Sequence, residues 1–224
     1  LLALDMDGTL LKSDKTISPN TSASLNEASN RGQSICLCTG RGLAELKDYE
    51  GELDFCDYGI LLSGCLIYDF KNDQPLEVHS FDTDVFTQMM DVVKKEDVML
   101  YLLDSSHSIA SQKDVENMPY YNMAIYQSMF ESRAFIVEDI YEYAEVHKDE
   151  ILKFCLYNPS VDAMNQLLKK LEVFPVSCAV VEETAIEVTP LGITKGAGLE
   201  FLSSYLNIPI ENTVMMGDSG NDIE

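Results

Sequence analysis

Two apolar runs at opposite ends of this 224-residue chain stop in the same way, and that shared ending constrains the fold more than any other feature. The first, Leu1-Leu2-Ala3-Leu4, runs into Asp5-Met6-Asp7-Gly8-Thr9-Leu10. The second, Thr213-Val214-Met215-Met216, runs into Gly217-Asp218-Ser219-Gly220-Asn221-Asp222. Each reads as a short buried strand that ends in glycine-flanked carboxylates. One such ending is ordinary turn chemistry, because Asp and Gly are turn formers. Two of them on adjacent strands of an open α/β sheet would gather Asp5, Asp7, Asp218 and Asp222 in the crevice beyond the strands' carboxyl ends, where such sheets bind ligands. Carboxylates that close repel unless a cation lies between them or a proton is shared. Oxygen-only donors suit Mg²⁺, which keeps positions open for substrate phosphate. No His or Cys lies in either segment, which argues against zinc and the softer metals.

Two further segments fit the same chemistry. Ser34–Cys38 is strand-like and ends in Thr39-Gly40-Arg41, a hydroxyl and an exposed backbone amide ahead of a helix. Hydroxyls and free amides at a helix N-terminus suit phosphate oxygens. Gly192-Ile193-Thr194-Lys195-Gly196 sets a lysine between glycines at the start of an amphipathic stretch, Ala197–Leu206. Taken alone, Lys195 reads as a solvent-facing side chain. In order with the other three segments it reads as a point charge for phosphate.

In that order, Asp-Met-Asp-Gly-Thr-Leu, Thr-Gly-Arg, Gly-Ile-Thr-Lys-Gly and Gly-Asp-Ser-Gly-Asn-Asp resemble the four motifs of the haloacid dehalogenase-like hydrolase superfamily, above all its Cof-type sugar-phosphate phosphatases. The resemblance spans the whole chain, and the first and fourth motifs carry most of its specificity. It implies an α/β fold: a Rossmann-like doubly wound parallel core sheet built from residues 1–81 and 188–224, with an α/β cap domain inserted at 82–187 and the reaction site in the cleft between them. It implies that Asp5 is the nucleophile that becomes an aspartyl phosphate. Asp7 would protonate the leaving alcohol and then activate water. The Asp5 carboxylate, the Asp7 backbone carbonyl and Asp218 would hold Mg²⁺, with Asp222 supporting through water or an outer shell. The Met6 amide, Thr39, Gly40, Lys195 and Asn221 would bind the phosphoryl oxygens.

Aspartate at position 7 also discriminates among branches. Dehalogenases, phosphonate-cleaving enzymes and ion pumps of the superfamily lack a carboxylic acid there, whereas phosphatases and phosphomutases keep one. The implied activity is Mg²⁺-dependent hydrolysis of a small phosphorylated metabolite. A phosphomutase, or a non-catalytic module binding Mg²⁺ or a phosphometabolite, are the rival readings. Ser63-Gly64 departs from the group's usual Asn-Gly. The chain starts inside its first strand and stops just after the fourth motif, where family members continue, so it reads as part of a longer sequence.

Composition bears mainly on partners. A formal net charge of −23 repels nucleic acid and anionic membrane surfaces. Substrate capture then depends on local positive potential from Mg²⁺, Lys195, Arg41 and helix N-termini. Much of the acid sits in runs such as Glu138–Glu145, which read as a solvated helix face. Apolar stretches such as Gly59–Leu62 and Cys65–Tyr68 are far too short to span a membrane. The six cysteines form no CxxC pair; Cys36 and Cys38 point to one face of a strand as buried free thiols. A reducing, cytoplasmic compartment follows, for a monomer or homodimer. His79, His107 and His147 neighbour no motif and read as surface or interface packing, with His107 kept as a candidate substrate contact. Tyr101, Tyr120 and Tyr121 read as cap core before stacking platforms.

Along the chain, Ser18-Pro19 starts a helix that Gly32 ends. Residues 58–63 and 66–70 are strand-like, and Asn72-Asp73-Gln74-Pro75 is a turn. Within the insert the pattern predicts helices at 82–95, 138–147 and 160–172, and strands at 98–103, 151–157, 175–181 and 185–189. Leu167, Leu168 and Leu171 give the 160–172 helix its buried stripe. Residues 105–135 show no clear period, and Met118-Pro119-Tyr120-Tyr121 reads as a loop.

Overall fold

The computed structural model describes residues 1–223, which form two compact units. Leu1–Arg41, Leu46–Val78 and the residues from Ile193 onward make the first; Gly42–Glu45 and His79–Gly192 make the second. The second unit therefore reaches back to His79 and on to Gly192, and it takes in a short piece that follows the Thr39-Gly40-Arg41 segment.

The first unit opens with β1 (Leu2–Leu4), α1 (Pro19–Asn30), β2 (Ile35–Cys38), β3 (Tyr58–Leu61), β4 (Leu66–Asp69) and β5 (Gln74–Val78); between β2 and β3 lies the short α2 (Leu43–Leu46), whose first three residues belong to the second unit. Helix α1 begins where its sequence dictates: Ser18 Oγ accepts a hydrogen bond from the Thr21 amide at 3.1 Å and Pro19 takes the first helical position. Strand β3 ends at Leu61, short of the sequence-based limit, because Leu62 and Ser63 turn into left-handed backbone. Residues 74 and 75, expected in a turn, already belong to β5. Proline is tolerated there because β5 is an outer strand and its register slips between Ile67 and Tyr68 of β4.

The second unit follows with α3 (Thr83–Val93), β6 (Met99–Leu103), β7 (Ser108–Ser111), α4 (Gln112–Glu116), α5 (Gln127–Arg133), β8 (Phe135–Val137), α6 (Ile140–Val146), β9 (Lys153–Tyr157), α7 (Val161–Leu171), β10 (Val176–Val181) and β11 (Ala185–Pro190). Its sheet runs β10-β11-β9-β6-β7-β8, antiparallel except for the β7–β8 pair. Alternate residues Leu100, Leu102, Phe154, Leu156, Ile186 and Val188 form one buried face with Phe86 and Met89 of α3 and Leu167 and Leu171 of α7. Each fully buried aliphatic or aromatic side chain there contributes roughly 1.5–3 kcal/mol. The opposite face carries Tyr101, Lys153, Cys155 and Glu187, with Lys153 buried and paired to Glu187 at 2.5 Å. Tyr101 and Tyr121 are buried, whereas Tyr120 is exposed and gives its hydroxyl hydrogen to Asp97. His107 sits 3.2 Å from Asp104 and His147 stacks on Tyr143.

The chain then returns to the first unit through α8 (Lys195–Tyr205) and β12 (Val214–Met216). The first sheet runs β12-β1-β2-β3-β4-β5. Four neighbours, β12 to β3, are parallel, and β4 and β5 extend them as antiparallel strands. The reason is length: a parallel crossover needs a dozen or more residues, and only Leu62–Cys65 separate β3 from β4. Ala3, Cys36, Cys38, Ile60 and Ile67 pack with Leu202 of α8. All six cysteines are free, and Cys36 and Cys38 share that buried face. Among the described residues strand β12 is the outer one, and Val214 and Met216 are each about half exposed there. Among the described residues no helix is long and apolar enough to cross a membrane.

Candidate active site

The register places the two carboxylate endings side by side. Leu4 of β1 lies opposite Met216 of β12, and the Asp5 amide donates to the Met216 carbonyl at 2.9 Å. Both strands end here, so Asp5 and the Gly217–Asp222 loop emerge at the same edge. After Asp5 the chain makes a wide turn, closed by Leu10 N–H to Asp5 O at 3.1 Å and Leu11 N–H to Met6 O at 2.8 Å. Gly8 is required inside it. Its φ is +80°, and a Cβ there would lie 2.1 Å from Asp218 Oδ2.

Asp5, Asp218 and Asp222 each bring a carboxylate oxygen within 4.8 Å of the others. Asp5 is buried and Asp218 exposed. This donor set is all oxygen and fits a hard divalent cation with positions left for water or phosphate. Two of the three already have a cationic partner: Lys195 Nζ stands 2.8 Å from Asp5 Oδ1 and 2.7 Å from Asp222 Oδ1. Lys195 is 4 % exposed, so the reading of this lysine as solvent-facing is overturned. Its position follows from the helix it starts, because Thr194 caps α8 by accepting from the Ala197 amide at 3.2 Å. Asp222 is fixed by the Ser219 amide, which donates to Oδ2 at 3.0 Å.

The shared lysine does not treat its partners equally. Burial pushes the Asp5 carboxyl up, and the nearby Asp222 charge adds to that; hydrogen bonding and charge from Lys195 and the Met6 amide offset only part of it. For Asp222 burial works in the same direction, but Lys195 and Ser219 outweigh it and the carboxyl is held below its ordinary value. Lys195 itself is raised: burial opposes its charge, and the two carboxylates overcome that.

Asp7 belongs to a different set of contacts. Arg41 Nε and Nη2 donate to its two oxygens at 2.7 and 2.9 Å, and Lys15 Nζ to Oδ1 at 2.6 Å. Burial would raise the Asp7 carboxyl, but Arg41 and then Lys15 hold it low. Lys15 lies in a tight turn bracketed by the Leu11–Ile17 bridge, with a φ of +61°, and from there its ammonium reaches Asp7. The guanidinium of Arg41 rests 5.5 Å from the ring centre of Tyr49.

Of the residues singled out in the sequence, Asp5, Asp218, Asp222 and Lys195 come together directly. The Met6 amide hydrogen-bonds the Asp5 carboxylate. Thr39 is buried, its hydroxyl accepting from the Arg41 amide at 3.2 Å; Gly40 is half-buried beside it. Asn221 engages Ser219 Oγ through Oδ1. The sequence marks Arg41 only as a source of positive potential after Thr39-Gly40, and it does not mark Lys15. Their chain distance from Asp7 is unremarkable; only the turn at Lys15, readable as Ser13-Asp14-Lys15 polar punctuation after an apolar pair, signals that the chain doubles back there.

The sequence profile of the haloacid dehalogenase-like hydrolases matches residues 2–224. The chain is similar to two curated proteins of Bacillus subtilis (strain 168), both named 5-amino-6-(5-phospho-D-ribitylamino)uracil phosphatase. It is 27% identical to YitU, over 100% of this chain and 82% of that protein, and 26% identical to YcsE, over 100% and 78%. Among solved structures, a haloacid dehalogenase-like hydrolase from B. subtilis superposes with a TM-score of 0.84 at 20% identity, covering 99% of this chain and 84% of that one.

Proposed function

Because the chain belongs to the haloacid dehalogenase-like hydrolase family, we propose that it is a Cof-type, Mg²⁺-dependent phosphatase that releases phosphate from a small phosphorylated metabolite through Asp5. The observation that carries this reading is the buried Lys195 held between Asp5 and Asp222, with Asp218 within metal-ligand reach of both carboxylates.

In this reading Asp5 attacks phosphorus and is phosphorylated, displacing the alcohol. Mg²⁺ would be held by the Asp5 carboxylate, the Asp7 backbone carbonyl and Asp218, with Asp222 in support, and would supply charge against the phosphoryl dianion. Lys195 neutralises the nucleophile's own surroundings and offers its ammonium to the phosphoryl oxygens. The Met6 and Gly40 amides, the Thr39 hydroxyl and Asn221 complete the phosphate contacts. Asp7 gives a proton to the leaving oxygen and then takes one from the attacking water. Such acid–base help is worth about 10²–10⁴ in rate. It needs Arg41 and Lys15 to loosen their hold, and an incoming dianion provides a competing partner for both cations.

The second unit, which contributes none of these groups, would select among leaving groups. A sugar phosphate and the ribitylamino-uracil phosphate named for the relatives are the first candidates. The six free cysteines support an intracellular setting for the same reading.

Phosphate release from an aryl phosphate and from a panel of phosphorylated metabolites, including 5-amino-6-(5-phospho-D-ribitylamino)uracil, tests the proposal. Asp5→Asn should abolish turnover, EDTA should do the same, and Asp7→Asn should lower it about 10²-fold or more. Full activity in EDTA or in Asp5→Asn would overturn it. Transfer of phosphate within a sugar, with none released, would favour a phosphomutase.

A further inference from the structure

Three consecutive buried residues of the first unit, Leu62, Ser63 and Gly64, have φ angles of +51°, +58° and +104°. Left-handed backbone is disfavoured for L-residues, and bulky residues such as leucine seldom adopt it. Strain of this kind persists where the surroundings over-determine it. Reversal of the chain from β3 into β4 accounts for a tight turn. It does not account for what this turn touches.

The strained conformation aims successive backbone groups at two separate segments. Leu62 N–H donates to the Arg41 carbonyl and Ser63 N–H to the Thr39 carbonyl, each at 3.0 Å. These bonds hold both ends of the Thr39-Gly40-Arg41 loop. On its other side, Gly64 lies so close to Thr194 that a Cβ would sit 2.2 Å from the Thr194 carbonyl oxygen and 2.7 Å from its carbon. Thr194 is the cap of α8, and its carbonyl accepts from Gly198 N–H at 3.0 Å; Lys195 is the next residue. Gly198 completes the close approach, with the Gly64 Cα 3.6 Å from where its own Cβ would be. A single turn thus contacts, backbone to backbone, the loop that carries Thr39 and Arg41 and the helix start that carries Lys195.

We infer that Leu62–Gly64 is a positioning element that sets the separation between the Thr39–Arg41 loop and Lys195, and so the fit of the phosphoryl group between them. Its contribution runs through the backbone: the Ser63 amide holds the Thr39 carbonyl, and Gly64 leaves room for the Thr194 carbonyl. This inference rests on the phosphatase reading for its functional consequence, and on the hydrogen bonds above for its structural one.

The test uses the full chain with four substitutions. Gly64→Ala should raise the inhibition constant for inorganic phosphate, and lower kcat/KM on an aryl phosphate, by about tenfold or more, since small displacements of binding groups have effects of that order. Gly51→Ala is the control: its φ is +82°, but nothing lies within 4 Å of an added Cβ, so it imposes left-handed strain without the contact. It should leave phosphate inhibition as in the parent chain. Ser63→Val, β-branched in left-handed backbone, should behave like Gly64→Ala, and should weaken phosphate inhibition more than Ser63→Ala, which also lacks the hydroxyl but is not β-branched. That pair decides the matter should Gly64→Ala fail to fold.

Amide exchange at Gly198 and at residues 62–63 separates the two layers. Faster exchange in Gly64→Ala or Ser63→Val than in Gly51→Ala, together with weakened phosphate inhibition, is the expected result. Folded Gly64→Ala and Ser63→Val chains with unchanged exchange, or with faster exchange and undiminished phosphate affinity, would overturn the inference. A parent chain that neither binds nor releases phosphate would remove the phosphatase reading, and exchange alone would then show whether the turn holds the two segments.

Discussion

Arg41 closes on Asp7 in a bidentate grip, Nε to Oδ2 at 2.7 Å and Nη2 to Oδ1 at 2.9 Å, although 34 positions separate them in the chain. Guanidinium and carboxylate match in such a fork, and both charges strengthen it. The consequence runs against the role proposed for Asp7. A general acid should hold a proton near neutral pH, yet Arg41 and Lys15 outweigh burial and hold this carboxyl low. In the proposed reaction, substrate binding and protonation of Asp7 would be linked, because a phosphate dianion that drew Arg41 away would also let the carboxyl rise.

The Arg41–Asp7 pair makes stability fall in acid. The Asp7 carboxyl is depressed below its ordinary 3.8, so its contribution is present above that value and is lost as pH falls through the lower folded value. Asp222 acts in the same direction. Arg41→Met should flatten, without abolishing, the decline in Tm below about pH 4. Thermal unfolding between pH 6 and pH 3 checks this, and an unchanged slope would show that the pair is energetically silent.

Lys195→Met keeps the volume and removes the charge. It leaves Asp5 and Asp222 facing each other unpaired in a buried place, and breaking a buried pair costs about 3–5 kcal/mol. Urea unfolding without divalent cations at pH 7 measures the loss. Because the unpaired carboxylates take up protons more readily when folded, the deficit should shrink as pH falls toward 4. In the parent chain the sign is opposite at the alkaline end: Lys195 is raised above 10.5, so its contribution disappears only as pH climbs through that higher value.

Mg²⁺ should stabilise the folded chain, by about 2.7 kcal/mol at a hundred times its Kd. Asp218 is exposed and its substitution disturbs no buried pair, so Asp218→Asn should leave Tm in EDTA within a degree or two of the parent while weakening the Mg²⁺-dependent shift about tenfold or more in concentration. No Mg²⁺ shift in either chain would remove the metal from the proposal.

Gly8→Ala combines two penalties. The residue must hold a φ of +80°, and its Cβ would collide with the Asp218 carboxylate. The first costs about 1–2 kcal/mol of stability. The second displaces a metal donor, so the Mg²⁺ concentration for half-maximal activity should rise as well. A variant that is destabilised but keeps its metal dependence would show that Asp218 yields freely.

The strands β1, β2 and β12, the start of α1 at Ser18-Pro19, and the carboxylate endings at Asp5 and Asp218 were all legible in the sequence. Each is written in a few neighbouring residues: an apolar run, a cap, a glycine that permits a turn. Residues 105–135 were not legible, because β7, α4, α5 and β8 are too short to complete a period and depend on pairing with β6 and with each other. The charge partners were not legible either. Nothing local marks Lys195 as buried between Asp5 and Asp222, or sends Lys15 and Arg41 to the same carboxylate. Periodicity and turn chemistry act over a few residues and are carried by the sequence itself. Coulombic pairing acts through space and depends on the local dielectric, so only the folded sheet, by bringing β1, β2, β12 and the start of α8 to one edge, decided which charge meets which.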